Sequence, residues 1–80
     1  MQTHYVPRPE FDLPAPHYRL VQRVRTRLGF IASASLTCYL FGEIPRLAGI
    51  SAGEADLIFD LAREEGISMS DRGRDLPVAV

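Results

Sequence analysis

The side chains that could do acid–base, nucleophilic or metal chemistry are His4, His17, Cys38 and ten carboxylates. Nucleophilic catalysis needs a base within hydrogen-bond reach of the nucleophile, and no motif places either histidine beside Cys38. Cys38 also falls in an apolar run, where burial raises a thiol pKa and makes the thiol unreactive. The two histidines and the cysteine lack the spacing of a metal site, and the glycines form no phosphate-binding loop. The sequence predicts a protein that is not an enzyme and uses no cofactor or metal.

Besides acid–base and nucleophilic chemistry, the sequence offers guanidinium groups that could pair with anions. All nine basic residues are arginines, and against ten acidic residues they give a net charge of -1, which does not favour nucleic-acid binding by bulk electrostatics. Arg19, Arg23 and Arg27 recur every four residues, so they form a row on a helix that could bind phosphates or a partner's carboxylates. The alternative is that these charges are solvated or pair within the molecule.

Acidic residues concentrate in a later segment, which makes the chain a dipole of oppositely charged segments. Glu54, Asp56 and Asp60 lie on the helix predicted there, followed by Glu64 and Glu65. We take the first three acids, together with the arginine row, as the candidate partner-binding residues. The partner they suit is another protein.

The element expected to hold these charged helices together is the uncharged stretch from Leu28 to Gly42. A helix of fifteen residues rises only about 22 Å, which is too short to cross roughly 30 Å of bilayer hydrocarbon. We therefore predict no membrane span, and instead a buried middle helix over residues 30–41 with a small-residue patch at 32–35 where another helix could approach. Residues 36–41 could alternatively form a strand, but no second strand-like run exists to pair with it.

Helix signals divide the rest of the chain. Residues 1–16 carry four of the six prolines and predict an extended arm. Helix 1 is expected from Pro16 to Leu28, and a short helical turn after Pro45. Ser51 and Glu54 have the spacing of a capping box, which predicts the start of a third helix that ends near Gly66. The predicted domains are an arm (1–16), a helical domain (17–67) and a flexible tail (68–80).

The segment Phe41-Gly-Glu-Ile-Pro-Arg-Leu-Ala-Gly-Ile-Ser-Ala-Gly-Glu-Ala-Asp-Leu-Ile-Phe59 resembles the helix-turn-helix core of bacterial repressors. Its matching apolar and turn positions are Ile44, Ala48, Gly49, Ile50, Ala55 and Ile58. Residues 48–53 are similar to the turn and the start of the recognition helix in TetR-type regulators. The resemblance implies a helix-turn-helix-like C-terminal half and a DNA-binding regulator as the alternative function. Pro45 and the acids of helix 3 depart from the pattern, because carboxylates repel phosphates.

These features together predict a small all-α three-helix bundle that works as a regulatory or inhibitory protein by binding another protein. The short chain and its arm also suit an inhibitor encoded by a phage or other mobile element. The apolar excess of the middle helix predicts a homodimer, unless the N-terminal arm covers it. The single cysteine and the absence of a secretory signal pattern predict a reducing, cytoplasmic setting.

Overall fold

This computed structural model describes residues 10–69 of the chain. They contain three α-helices and one 3-10 turn. The 3-10 turn is Glu10–Asp12, and the helices are α1 (Ala15–Leu28), α2 (Phe30–Leu40) and α3 (Ala52–Glu64). No strand occurs within those residues, and residues 36–40 belong to α2. The predicted all-α bundle of three helices is therefore confirmed.

The chain before α1 differs from the predicted extended arm at residues 10–12, whereas Pro14 does have extended backbone angles of φ −55° and ψ 151°. Glu10–Asp12 forms a helical turn that packs on α1, and Leu13 is buried in the core. Burial of Leu13 favours this compact lead-in over an extended segment. The arm predicted over residues 1–9 and the tail predicted over residues 70–80 lie outside the described residues.

The central element is α1, which packs against α2, against α3 and against the 3-10 turn. The apolar side of α1 faces the core, since Leu20, Val21 and Val24 are all fully buried. The prediction that α2 is the buried middle helix is wrong. Helix α2 buries one side through small residues and a leucine, Ala32, Ser33 and Leu36, and leaves bulky side chains outside.

A single residue, Gly29, separates α1 from α2. Its backbone angles are φ 98° and ψ −179°, a combination that is essentially restricted to glycine. The Gly29 N–H donates to the carbonyl of Arg25, and its own carbonyl accepts from the Ser33 N–H, so the residue closes one helix and opens the next. This sharp corner fixes which side of α2 turns towards α1.

Helix α3 begins at the predicted capping box. The Ser51 hydroxyl accepts from the Glu54 N–H at 3.2 Å, and the Glu54 carboxylate accepts from the Ser51 N–H at 3.1 Å. At the other end, Gly66 has φ 76° and the Ile67 N–H donates to the Ala62 carbonyl at 2.9 Å, the hydrogen bond of a Schellman motif. Both predicted ends of α3 are confirmed.

Residues 41–51 connect α2 to α3 through two turns, at residues 41–42 and 48–49, with bends between them. The helical turn predicted after Pro45 is absent there. Leu47 and Ile50 are nevertheless buried in the core, and the Ser35 hydroxyl donates to the Ala48 carbonyl at 2.7 Å. Burial of these two side chains holds the connection against the bundle without regular structure.

Candidate functional site

Two members of the predicted arginine row bind the end of α3. Arg19 donates to one carboxylate oxygen of Glu65 at 2.9 Å, and Arg23 donates to the other at 3.2 Å. Arg23 also donates to Glu64 at 2.7 Å. We call these four residues the α1–α3 ion-pair cluster. Arg19 and Arg23 therefore pair within the molecule, which is one of the two alternatives that the sequence left open.

One carboxylate of this cluster is partly buried, since the Glu65 side chain is only 15% exposed, whereas Arg19 and Glu64 are mostly exposed. The hydrogen bond from Arg19, followed by that from Arg23, lowers the pKa of the Glu65 carboxyl against an opposing effect of burial. The hydrogen bond to Glu64 is the main cause of a raised pKa at Arg23. Cations beside the carboxyl end of α3 also interact favourably with its helix dipole. The cluster stabilises the packing of α1 on α3.

Arg27, the third member of the row, stands apart from this cluster. It lies in the last turn of α1 and is exposed. Across residues 10–69 its guanidinium has neither a hydrogen-bond partner nor an ion-pair partner. The predicted three-arginine row therefore contributes one available cation at the corner between α1 and α2.

Arg25 occupies the other flank of α1. Its guanidinium forms an ion pair with Glu10 and donates to the Ser33 hydroxyl at 3.4 Å. It also lies 5.7 Å from the centre of the Phe30 ring, within the range of a cation–π contact. Arg25 thereby ties the 3-10 turn and the start of α2 to α1.

The predicted acidic residues of α3 do not form one binding face. Glu54 is part of the capping box, and Asp60 pairs with Arg63 one helical turn away at 3.0 Å. Asp56 is exposed in the first half of the helix and already takes part in an interaction. Of the six predicted partner-binding residues, four have partners within the molecule: Glu54, Asp60, Arg19 and Arg23.

The surface that the sequence did not single out begins at Phe30 and Ile31. These adjacent residues of α2 are 69% and 76% exposed. Tyr18, at 37%, is the only other large apolar side chain that is exposed among those the structure describes. We call Phe30, Ile31 and the neighbouring Arg27 the corner patch. The sequence did hold a signal for which side of α2 is buried. Ala32 and Ser33 are small, and small residues are common on the side of a helix that packs closely against its neighbour.

Cys38 and His17 show what reactive chemistry the described residues offer. Cys38 is half-buried, and burial, followed by the nearby Glu43 carboxylate, raises the pKa of its thiol. His17 has a buried Nδ1 atom without a hydrogen-bond partner in residues 10–69. No group of three metal-ligating side chains occurs over the same range.

Comparison with known proteins identifies no relative of this chain. The chain matches no protein-family model, no curated protein and no solved structure. Within the described residues, no helix has the length and apolar character that crossing a bilayer requires. The case for function accordingly depends on the surface of the bundle.

Proposed function

We propose that this protein is a small non-enzymatic regulator or inhibitor that acts by binding another protein through the corner patch. The observation that carries the proposal is the exposure of Phe30 and Ile31, 69% and 76%, side by side on a rigid corner. An exposed pair of large apolar side chains beside a cation is typical of the centre of a protein interface, where aromatic residues and arginine are enriched.

The corner is suited to binding because its backbone is already fixed. Gly29 joins two hydrogen-bonded helices, and the Phe30 ring lies against the Arg25 guanidinium. A side chain held in its bound conformation loses less entropy on association than a mobile one. The fitting partner surface has an apolar depression for Ile31 and Phe30 and a carboxylate for Arg27.

A DNA-binding regulator is the alternative suggested by the resemblance of residues 41–59. Protein binding has more support, because Arg19 and Arg23 already bind carboxylates and the first turn of α3 presents Glu54 rather than a base-reading side chain. Helices α2 and α3 are also joined by residues 41–51, whereas a helix-turn-helix motif uses a turn of three or four residues. A low-salt gel shift with random duplex DNA tests the alternative, and salt-sensitive retention would favour it over the proposal.

The proposal is tested by affinity capture from the source cell with three immobilised proteins: the wild type, Ile31→Asp and Tyr18→Ser. Tyr18→Ser is the matched control because it removes an exposed apolar side chain from α1, away from the corner. A captured protein is then purified and titrated against all three. We expect Ile31→Asp to lose at least about tenfold in affinity, as for a central interface residue, and Tyr18→Ser to bind as the wild type does. Equal binding by all three proteins would refute the role of the corner patch.

A further inference from the structure

The solvent side of α1 carries a groove that adjoins the corner patch. It lies over the last two turns of the helix, is lined by Gln22, Arg23, Thr26 and Arg27, and has a volume of about 260 Å³. The pairs 22/26 and 23/27 are each spaced by four residues, so they form two neighbouring ridges with a furrow between them. We call these four residues the α1 groove. Because Arg27 belongs to both, the α1 groove and the corner patch are continuous.

Hydrogen bonds to two other elements hold the walls of the α1 groove apart. Gln22 donates to Glu10 of the 3-10 turn at 3.0 Å. Arg23 donates to Glu64 at 2.7 Å and to Glu65 at 3.2 Å, at the end of α3. Long side chains that could otherwise fold over the helix surface are therefore held on either side of the groove. A groove that is open before the partner arrives costs less to occupy than one that must first be cleared.

The size and lining of the α1 groove suit the side chains of a helix. Its lining is largely methylene and methyl groups, because the Thr26 hydroxyl is occupied by the Gln22 carbonyl at 3.1 Å and the polar ends of Gln22 and Arg23 bind carboxylates. Its volume is below the roughly 300–1,000 Å³ of small-molecule pockets. A furrow between two such ridges accepts a ridge of side chains from another helix.

The charge that α1 and α2 themselves supply is only positive. Residues 13–42 include four arginines and no acidic residue. Three of those arginines are paired with carboxylates from elsewhere in the fold, those of Glu10, Glu64 and Glu65. Arg27 is left without a partner in the described part of the chain. A protein that covers Arg27 must therefore bring a carboxylate, because a buried cation without a partner is costly.

From these features we infer that the partner binds through an amphipathic helix that has apolar side chains along one side and a carboxylate beside them. The apolar side chains lie in the α1 groove and on the corner patch, and the carboxylate pairs with Arg27. The inference rests on the proposed function, extends its surface along α1 and names the kind of partner. Nucleic acid suits this surface less well, because a single free guanidinium neutralises one phosphate and nucleic-acid binding depends on many phosphate contacts.

A pair of designed peptides tests the inference on the intact protein. Both are hydrocarbon-stapled helices of about 18 residues, or five turns, with the same row of leucines along one side. Glutamates flank the row in one peptide, and lysines flank it in the other. Each peptide is titrated into isotope-labelled protein and followed by NMR. We expect the glutamate peptide to shift the amide signals of Thr26, Arg27 and Ile31, and the lysine peptide to bind at least about tenfold more weakly.

Two substitutions distinguish the α1 groove from a non-specific contact. Thr26→Gln fills the furrow and Arg27→Glu reverses the free charge, so each should weaken binding of the glutamate peptide by about tenfold or more. Ala15→Gln is the control for the first, because it adds the same side chain at the exposed first residue of α1. Arg63→Glu is the control for the second, because it makes the same charge change on α3. Both controls should bind the peptide as the wild type does.

Four outcomes would overturn the inference. One is a glutamate peptide that does not bind at millimolar concentration or binds no better than the lysine peptide. Another is unchanged affinity in Thr26→Gln, once circular dichroism shows that this variant is folded. A third is random duplex DNA that shifts the Thr26 and Arg27 signals when the glutamate peptide does not. The fourth is a protein captured from the source cell that requires Ile31 but binds Thr26→Gln and Arg27→Glu as tightly as the wild type; the inference then fails while the proposed function stands.

Discussion

Arg19 Nε donates to Glu65 Oε1 at 2.9 Å, a contact between residues 46 positions apart in the sequence. It links the first half of α1 to the residue that caps the carboxyl end of α3. Because Arg23 binds the second oxygen of the same carboxylate, Glu65 orients two turns of α1 at once. Charges that could have formed a partner surface instead hold the bundle together.

Glu65 should make the stability of the protein depend on acid. Its carboxyl pKa is lower in the folded protein than in the unfolded chain, chiefly through the Arg19 hydrogen bond. The contribution of Glu65 to stability is therefore present above the unfolded pKa, about 4.3, and is lost as the pH falls through the folded value. We predict that Glu65→Gln lowers the free energy of unfolding at pH 7 and has less effect at pH 3.

Urea denaturation of both proteins at a series of pH values measures this difference. The two free energies of unfolding should converge as the pH falls through the folded pKa of Glu65, since the wild-type glutamate then becomes neutral like the glutamine. A difference that stays constant from pH 7 to pH 3 would mean that the charge of Glu65 is not what stabilises the contact.

Local signals in the sequence were sufficient to predict where α3 begins and ends. The capping box at Ser51 and Glu54 and the stop at Gly66 each depend on a few neighbouring residues, so they are readable without knowledge of the rest of the fold. The apolar stripe of α1 was readable for the same reason, because Leu20 and Val24 share one side of a helix.

The central position of α1 and the exposed side of α2 depend on how the helices pack, and periodicity alone could not predict them. Helix α2 is apolar on all sides, so its pattern does not distinguish the side that Leu36 buries from the side that Ile31 exposes. That choice is made by the backbone at Gly29. Likewise, the partners of Arg19 and Arg23 could not be predicted from the sequence, because they depend on where the fold places Glu65.

Substitution of Gly29 should destabilise the protein, although there is space around the residue for a side chain. A Cβ atom there would meet nothing within 4 Å, so the expected loss comes only from the backbone angle of φ 98°. We predict that Gly29→Ala destabilises the protein by about 1–3 kcal/mol. Gly53→Ala is the control, because Gly53 is helical and also has open space around it. It should be neutral or stabilising by up to about 1 kcal/mol. Equal thermal shifts in the two variants would contradict the strained-corner account.

The capping box should contribute measurably to stability. Ser51→Ala removes the acceptor of the Glu54 N–H, and we expect a loss of about 1 kcal/mol in the free energy of unfolding. Ser51→Asp keeps an acceptor at the same position and should retain most of the wild-type stability. Urea denaturation of the three proteins checks the ranking, and an alanine variant as stable as the aspartate variant would show that the cap is dispensable.

The two sides of α2 should respond differently to truncation. Leu36 is fully buried, so Leu36→Ala leaves a cavity and should cost about 2–5 kcal/mol. Ile31 is 76% exposed, and Ile31→Ala should change the free energy of unfolding of the dilute monomer by no more than about 0.5 kcal/mol. A large loss at Ile31 in dilute protein would mean that this side chain is part of the core and not available to a partner.

The reactivity of the Cys38 thiol reports on the nearby Glu43 carboxylate. Burial is the main cause of the raised thiol pKa, and the negative charge of Glu43 adds to it. Since the thiolate is the reactive form, removing that charge lowers the pKa and increases the thiolate fraction at pH 8. We predict that Glu43→Gln reacts faster with iodoacetamide at pH 8 than the wild type does, while Asp60→Asn on α3 reacts at the wild-type rate.

Mass spectrometry of the alkylated protein over a range of pH gives the rate and its midpoint in each variant. The midpoint should fall in Glu43→Gln only, and an unchanged midpoint would remove Glu43 as a cause of the shift.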